Sequence, residues 1–175
     1  MSDALDKAGR LMVNGVELQA DISGALIWPV RRLAVVADLH FEKSTAFAER
    51  GQFLPPYDTA ASLDKLEAVI ACHGIERVIC LGDSFHDEAA AERLDPAQAE
   101  RLQRLTAALD WTWIAGNHDP APPAGLGGQI AEEITEGALT FRHEADPAAT
   151  GGEVSGHFHP KAAVVVRGRR ISAPC

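Results

Sequence analysis

The sequence lacks any hydrophobic run long enough to cross a membrane, and its N-terminus has no apolar stretch. No segment approaches the roughly 20 consecutive apolar residues that span a bilayer. Residues 1–10 alternate charged and small side chains, so we expect no signal peptide there. These two absences favour a cytoplasmic protein without a membrane partner.

Cysteine is also scarce. The chain has 3 cysteines, an odd number without the spacing of metal ligands: Cys72, Cys80 and Cys175. A disulfide framework and a cysteine-rich zinc site are therefore disfavoured, and a reducing, cytoplasmic compartment fits best. Cys80 lies within an apolar run, which predicts a small core residue.

Basic residues are fewer than acidic ones: the chain has 16 lysines and arginines and 25 aspartates and glutamates, which gives a formal net charge of -9. A broad basic face that binds nucleic acid passively is therefore disfavoured. An enzyme whose carboxylates hold cations stays compatible, since bound metal ions reverse the local charge. Four cations near the C-terminus could be the solvated ends of a surface hairpin or a contact to a phosphate backbone: Lys161, Arg167, Arg169 and Arg170.

What is present is ordinary globular composition, with 46% hydrophobic and 23% charged residues over 175 positions. A chain of this length can bury a core of its own, and we see no internal repeat or long linker. We therefore expect a single domain over residues 1–175.

The first half alternates strand and helix patterns. Asn14-Gly15 between two alternating runs predicts a hairpin, and the predicted strands are 10–13, 16–20, 25–28, 33–37, 77–81 and 111–115. The pattern over Asp58 to His73 predicts an amphipathic helix, and Asp95-Pro96 opens a second one. The second half has only short predicted strands, at 139–142, 153–155, 162–166 and 169–172. These patterns indicate an α/β (α+β) fold, most simply a pair of sheets with helices packed outside.

Polar clusters follow the predicted strands, where loops gather into sites. The clusters are Asp38-Leu39-His40, Gly82-Asp83, Gly116-Asn117-His118-Asp119 and Gly156-His157-Phe158-His159, and His143 follows a further strand. Side chains two apart in extended backbone project to one side, so Asp38 and His40 can reach one cation together. One cluster alone would mean little, but 5 of the 7 histidines fall in this set, which favours a metal site: His40, His118, His143, His157 and His159.

The ligand chemistry narrows the metal. Carboxylate, imidazole and amide oxygen without thiolate suit Mn, Fe, Zn or Co. Seven ligands are too many for one ion and suit two divalent ions that share Asp83: Asp38, His40, Asp83, Asn117, His143, His157 and His159. Two ions about 3.5–4 Å apart lower the pKa of a bridging water and stabilise both oxygens of an in-line displacement. We expect His118 to stabilise or protonate the leaving oxygen and Asp119 to hold the His118 ring in the productive tautomer.

Three further residues are candidates for substrate binding. His86 follows Asp83 closely and could contact substrate, support the ligands or be an ordinary loop residue. Glu42-Lys43 lies beside the first cluster and could steer a phosphate, as could Arg167 in the basic C-terminal segment.

The order of these clusters resembles the calcineurin-like metallophosphoesterase superfamily, over about Leu33 to Pro160. The resemblance implies a β-sandwich of two mixed sheets flanked by helices, with the metal site at the C-terminal ends of strands. It also implies the division of the ligands, with one metal held by Asp38, His40, Asp83 and His159 and the other by Asp83, Asn117, His143 and His157.

Longer stretches are similar to the bacterial ligase-associated DNA damage response endonucleases of the PdeM family: Val36 to Lys43, Leu54 to Thr59, Leu81 to Asp87, Trp113 to Pro120 and Phe141 to Glu144. This resemblance implies a Mn-dependent phosphodiesterase or endonuclease that cuts single-stranded DNA in repair. It also implies a functional association with a DNA ligase, a helicase and an exonuclease. Relatives usually continue beyond the position of Pro174-Cys175, so we expect that the chain lacks a C-terminal strand or two or is a naturally short member.

Two other functions stay open. A phosphoesterase on the same scaffold could act on a nucleotide, a dinucleotide polyphosphate or a phosphoprotein, because the pocket and loops decide the substrate. A catalytically silent scaffold, like the metallophosphoesterase-like subunit of retromer, is disfavoured. Such derivatives lose ligands or the histidine next to the asparagine, whereas this chain has the full ligand set and His118.

Overall fold

The computed structural model describes residues 9–55, 57–121 and 125–174. The largest sheet has seven strands in sequence order: β1 (Arg10–Val13), β2 (Val16–Ala20), β3 (Leu26–Trp28), β4 (Leu33–Val36), β5 (Arg77–Cys80), β6 (Asp110–Ile114) and β7 (Gln129–Ala131). A second sheet, in the order β10-β9-β8, contains β8 (Glu133–Glu136), β9 (Leu139–Arg142) and β10 (Gly152–Ser155). A separate hairpin contains β11 (Lys161–Val166) and β12 (Arg169–Pro174). The α-helices are α1 (Lys43–Glu49), α2 (Asp58–His73), α3 (Ala90–Arg93) and α4 (Pro96–Ala108), and one 3-10 turn spans Pro29–Arg31.

The seven-stranded sheet is antiparallel on one side and parallel on the other. Strands β1 to β4 form a meander, and its first turn has positive φ at Asn14 (47°) and Gly15 (79°), as the predicted Asn-Gly hairpin requires. From β4 to β7 the strands are parallel. Because parallel strands bring their C-terminal ends to one edge, the loops after β4, β5 and β6 meet there.

The three-stranded sheet packs on one face of the large sheet. Strand β9 is antiparallel to β8 and parallel to β10. One buried apolar cluster joins the two sheets, with Val35, Ile79 and Ile114 on one side and Leu139 and Phe141 on the other. The expected sandwich of two mixed sheets is confirmed. The hairpin of β11 and β12 stands apart from it, and residues 161–173 are exposed.

Helices cover the opposite face of the large sheet. Leu63 and Leu66 of α2 and Leu102 of α4 belong to a buried cluster that also contains Val78 of β5 and Trp111 of β6. This second apolar layer completes the order of sheet, sheet and helix that the sequence predicts.

The predicted helices are present as α2 and α4, with the expected ends. Gly74 closes α2 with φ 58°, and the Asp95 carboxylate accepts a hydrogen bond from the N–H of Ala97 at the start of α4. The sequence did not predict α1, α3, β7 or β8. Helix α1 follows Glu42, which has φ 64° and no capping side chain, and α3 is one turn of 4 residues. Strands β7 and β8 have 3 and 4 residues and form through pairing with β6 and β9, so local sequence carries little signal for them.

Two of the three cysteines lie in the described part of the chain. Cys80 lies fully buried in the core as predicted, and burial raises the pKa of its thiol. Cys72 is exposed, and Cys175 lies outside the described residues. Among the described helices, none combines the length and the apolarity needed to span a bilayer.

We predict that Phe141→Ala destabilises the fold by about 3–5 kcal/mol, because the ring is 0% exposed between the two sheets and its loss leaves a cavity. Val165→Ala is the matched control, since that side chain is 70% exposed, and it should change the free energy of unfolding by less than about 0.5 kcal/mol. Urea unfolding followed by circular dichroism measures both. Equal losses would contradict the packing of the three-stranded sheet described above.

Candidate metal centre

The loops after β4 and β5 continue the parallel pairing beyond the ends of the strands. The N–H of Asp38 donates to the carbonyl oxygen of Gly82 at 3.2 Å, and the N–H of His40 donates to that of Asp83 at 3.0 Å. These main-chain hydrogen bonds hold together the backbone of three residues predicted as ligands, Asp38, His40 and Asp83.

The backbone at these residues is left-handed rather than extended. Positive φ angles occur at five of the predicted ligands: Asp38 (51°), His40 (47°), Asp83 (49°), His157 (69°) and His159 (43°). The expectation that residues i and i+2 share a side because the chain is extended was therefore wrong in its reason. Tight local turns aim these side chains inward, and such sparsely populated conformations persist where the surrounding structure enforces them.

Glycines precede the ligands because the site leaves no room for a Cβ. A Cβ at Gly116 would collide with the amide nitrogen and the carboxylate of Asp83, and one at Gly82 would lie 2.5 Å from Nδ1 of His143. A Cβ at Gly156 would lie 3.1 Å from a carboxylate oxygen of Asp38. The three glycines noted in the sequence thus allow the ligand loops to touch.

One half of the site gathers Asp38, His40 and His159, whose donor atoms lie within 4.8 Å of one another. The Nε2 atoms of His40 and His159 are 3.4 Å apart, and Nε2 of His159 lies 3.6 Å from Oδ1 of Asp38. The Asp38 carboxylate also accepts from the N–H of His157 at 3.1 Å, which ties this half of the site to the loop after β10.

The other half gathers Asp83, His143 and His157 within the same 4.8 Å limit. Nε2 of His143 lies 3.5 Å from Oδ1 of Asp83 and 3.3 Å from Nδ1 of His157. Asn117 places its amide oxygen 2.8 Å from the first of these nitrogens and 3.0 Å from the second. All seven residues predicted as ligands thus lie in two adjacent groups, which differ from the implied division only in that Asp83 is grouped with one half, and their role as ligands stays a prediction.

The donor set fits two cations. Nδ1 of His143 donates to the carbonyl oxygen of Leu81 at 2.8 Å, so the bare Nε2 faces the cluster. Burial lowers the pKa of His40 to about 4, although the negative charge of Asp83 acts in the opposite direction. The buried Nδ1 of His40 has no hydrogen-bond partner among the described residues. The facing nitrogens of His40 and His159 lie 3.4 Å apart and those of His143 and His157 lie 3.3 Å apart, a spacing that a hydrogen bond or a shared cation can occupy.

Asp83 lies in the second half of the site, and its sharing between two ions stays a prediction. Its side chain is buried, and Oδ1 accepts from the N–H of His118 at 2.9 Å. By distance Asp83 belongs with His143 and His157, and its negative charge acts to raise the pKa of His40 in the other half. A buried carboxylate needs such compensation, since an isolated charge is costly to remove from water.

His118 lies at the edge of the centre, with its side chain 44% exposed and Nε2 4.0 Å from Oδ2 of Asp83. Its Nδ1 donates to the main-chain carbonyl of His86 at 3.0 Å. The expectation that Asp119 holds this ring was therefore wrong. Asp119 is 1% exposed and accepts instead from the N–H of Phe85 at 3.0 Å, and burial raises its pKa to about 6. A backbone carbonyl fixes the tautomer of His118, which no side-chain motif reveals.

The three candidate substrate-binding residues lie at different distances from the centre. The His86 ring stacks on that of His118, with centroids 5.7 Å apart. Lys43 is exposed at the start of α1, and its charge contributes to lowering the pKa of His40 and His86, which puts it beside the site. Arg167 lies in the turn between β11 and β12, at the end of a six-residue strand that spans roughly 20 Å. Arg167 can therefore contact only a substrate that extends well beyond the metal centre.

Glu42 has a different role from the one its sequence position suggests. Its carboxylate is buried and accepts from the hydroxyls of Thr59 at 2.8 Å and Thr45 at 2.9 Å, which fastens α1 to α2 directly after His40. Ser44 and Asp58 add a second link, with two hydrogen bonds of 2.7 and 2.8 Å. Both sequence stretches were noted as motifs, but a contact across 17 positions cannot be read from either.

Comparison with known proteins agrees with this geometry. The family model of the calcineurin-like phosphoesterases matches residues 31–163, about three quarters of the chain. No curated protein sequence matches it. A crystal structure of nuclease MPE from Pseudomonas putida is similar with a TM-score of 0.74 and 31% identity, over 94% of this chain and 78% of that one. The chain is thus a metal-dependent phosphoesterase and belongs to the calcineurin-like phosphoesterase family.

Proposed function

We propose that this protein is a two-metal phosphodiesterase that cuts single-stranded DNA during repair. The observation that carries the proposal is the pair of adjacent three-residue clusters, each with donor atoms within 4.8 Å of one another. Neighbouring divalent cations are a recurring device for in-line displacement at phosphorus. The similarity to a nuclease at 31% identity supports a nucleic acid as the substrate.

The two halves of the site would each hold one divalent cation. Asp38, His40 and His159 would bind the first, and Asp83, His143 and His157 with the Asn117 amide oxygen the second. When bound, these ions neutralise phosphate charge and lower the pKa of the attacking water. We assign manganese, with iron, zinc or cobalt as alternatives, because a shell rich in imidazole suits these metals better than magnesium.

His118 acts on the leaving oxygen. Its Nδ1–H donates to the His86 carbonyl, which fixes the ring and leaves Nε2 for the substrate. When the ring is protonated, Nε2–H transfers its proton to the leaving oxygen as the P–O bond breaks and that oxygen takes the bonding electrons. The transfer matters most for a poor leaving group, such as a deoxyribose oxygen.

An open centre supports a polymeric substrate. The side chains of His159 and His118 are 48% and 44% exposed, and Lys43 is exposed beside them to attract a phosphate. An open site admits a phosphodiester within a chain, whereas a small nucleotide is usually enclosed. From the resemblance of the chain to repair endonucleases, we further propose a cytoplasmic enzyme that works with a DNA ligase, a helicase and an exonuclease.

The direct test is an activity panel with Mn²⁺, containing single-stranded DNA, duplex DNA, bis-p-nitrophenyl phosphate and p-nitrophenyl phosphate. We expect cleavage of single-stranded DNA and of the diester, slower cleavage of the duplex, and inactivity after chelation. Recovery should be better with Mn²⁺ than with Mg²⁺, because Mg²⁺ prefers oxygen ligands and keeps its waters. Rapid hydrolysis of the monoester p-nitrophenyl phosphate, with no DNA cut, would replace the nuclease by a phosphoesterase for small monoesters with the same metal site.

A glycine pair tests the metal centre itself. Gly116→Ala should weaken Mn²⁺ binding by about 10- to 100-fold, because the new Cβ displaces the ligand Asp83. Gly151→Ala is the control, since nothing lies within 4 Å of a Cβ there. Isothermal titration calorimetry reports the affinity, after circular dichroism has established that both variants fold. Wild-type affinity in Gly116→Ala would show that Asp83 is not a ligand.

The leaving-group role makes a prediction about His118→Ala. Removing a proton donor should lower kcat on single-stranded DNA by roughly 10²–10⁴-fold, with Mn²⁺ binding retained. A nitrophenolate leaves without a proton, so bis-p-nitrophenyl phosphate should be affected much less. His73→Ala, at the end of α2, is the control and should not separate the two substrates. An equal loss on both would assign His118 a general electrostatic role.

A further inference from the structure

The end of the chain differs in charge from the rest of the protein. From Val154 onward the sequence has four cations and no acidic residue: Lys161, Arg167, Arg169 and Arg170. Since the chain has 16 basic and 25 acidic residues in all, the part before Val154 has 12 and 25, a balance of -13. The hairpin of β11 and β12 is therefore a basic arm on an acidic body.

The arginines of this arm are also not neutralised locally. Among the described residues, Arg167, Arg169 and Arg170 form no ion pair. Almost all other described arginines do, and those are Arg10, Arg31, Arg32, Arg77, Arg93, Arg101, Arg104 and Arg142. Charges without an ion-pair partner in the described part of the chain are available to an external anion.

The arm leads directly away from the metal centre. Strand β11 begins at Lys161, two residues after His159. A groove of about 710 Å³ lies at its base, and Asp38, His159 and Lys161 all line that groove. Register then places Lys161, Val165 and Arg170 on one face of the arm, because Val165 pairs with Arg170 and side chains alternate along a strand. Positive charge thus continues from the cation site to the turn at Arg167.

Apolar side chains beside these cations are exposed to solvent. Phe158, between His157 and His159, is 59% exposed, and Val164, Val166 and Ile171 on the second face of the arm are 50–58% exposed. Aromatic and aliphatic surfaces next to cations bind the faces of unpaired bases. A duplex hides those faces within its stack.

We propose that the hairpin of β11 and β12 is a binding arm for single-stranded DNA, which holds the strand on one side of the bond to be cut. This inference rests on the nuclease function proposed above and names the surface that would select the polymer. Lys161 and Arg170 contact phosphates on the first face and Arg167 contacts one at the turn, while on the second face Arg169, which pairs with Val166, contacts a phosphate beside the aliphatic side chains that contact bases. Phe158 contacts a base next to the metal centre.

The test removes the charges of the arm in the full-length protein. Arg167→Gln/Arg169→Gln/Arg170→Gln is compared with Arg10→Gln/Arg31→Gln/Arg104→Gln, which removes three exposed arginines elsewhere. Cleavage of a labelled oligothymidylate in Mn²⁺ gives kcat and KM as functions of salt. Each phosphate contact to a single strand contributes about -0.7 to the slope of log affinity against log salt.

We expect a wild-type slope of about -2 to -3, from three or four contacts. In the arm variant the magnitude of this slope should be smaller by about 2. KM at about 50 mM salt should rise at least tenfold, and kcat should change much less. Arg170→Gln alone should reduce the slope by about 0.7. The control triple should leave the slope and KM unchanged.

Three results would overturn the arm. One is a wild-type slope in the arm variant, the second is an equal effect in the control triple, and the third is duplex cleavage with the same KM and slope. Each leaves the nuclease function intact as long as the wild-type protein cuts the oligothymidylate. No cleavage by the wild-type protein would instead remove the proposed function.

Discussion

The contact between the loops after β4, β5 and β6 is the constraint on which the site depends. The main chain of Asp38 and His40 is hydrogen-bonded to that of Gly82 and Asp83, and Gly116 fits against Asp83 only because it has no Cβ. Because the three loops are in contact, their side chains lie close to one another. The same loops contain left-handed backbone, which persists where the surrounding structure enforces it, and the buried Asp83 carboxylate, whose charge needs compensation.

The second sheet completes the centre from the other side. Strands β9 and β10 run parallel, so His143 and the loop of His157 and His159 leave the sheet at one end and meet the loops of the large sheet. The apolar layer between the sheets sets the position of these histidines. The sandwich packing is thus what brings the predicted ligands of both sheets together.

Charge distribution connects the centre to its proposed substrate. The body of the protein is acidic, and its long-range field repels a polyanion. Bound divalent ions would reverse that sign locally. The basic hairpin is a second region of local positive charge, and it begins two residues after His159. Three arginines on it form no ion pair among the described residues. Recognition by such a protein is short-range and depends on few contacts, which suits a flexible single strand better than a rigid duplex.

The predicted ligands and the main elements around them can be read from the sequence alone. Asp38-x-His40, Gly82-Asp83 and His157-x-His159 follow strands whose apolar runs can be read directly, and α2 and α4 have their own caps. Only the tertiary structure decided how those residues are used. Left-handed turns aim the ligands, the His86 carbonyl rather than Asp119 holds His118, and Glu42 fastens α1 instead of meeting substrate. These contacts join main-chain atoms or residues distant in sequence, and side-chain identity along the chain does not encode such distances.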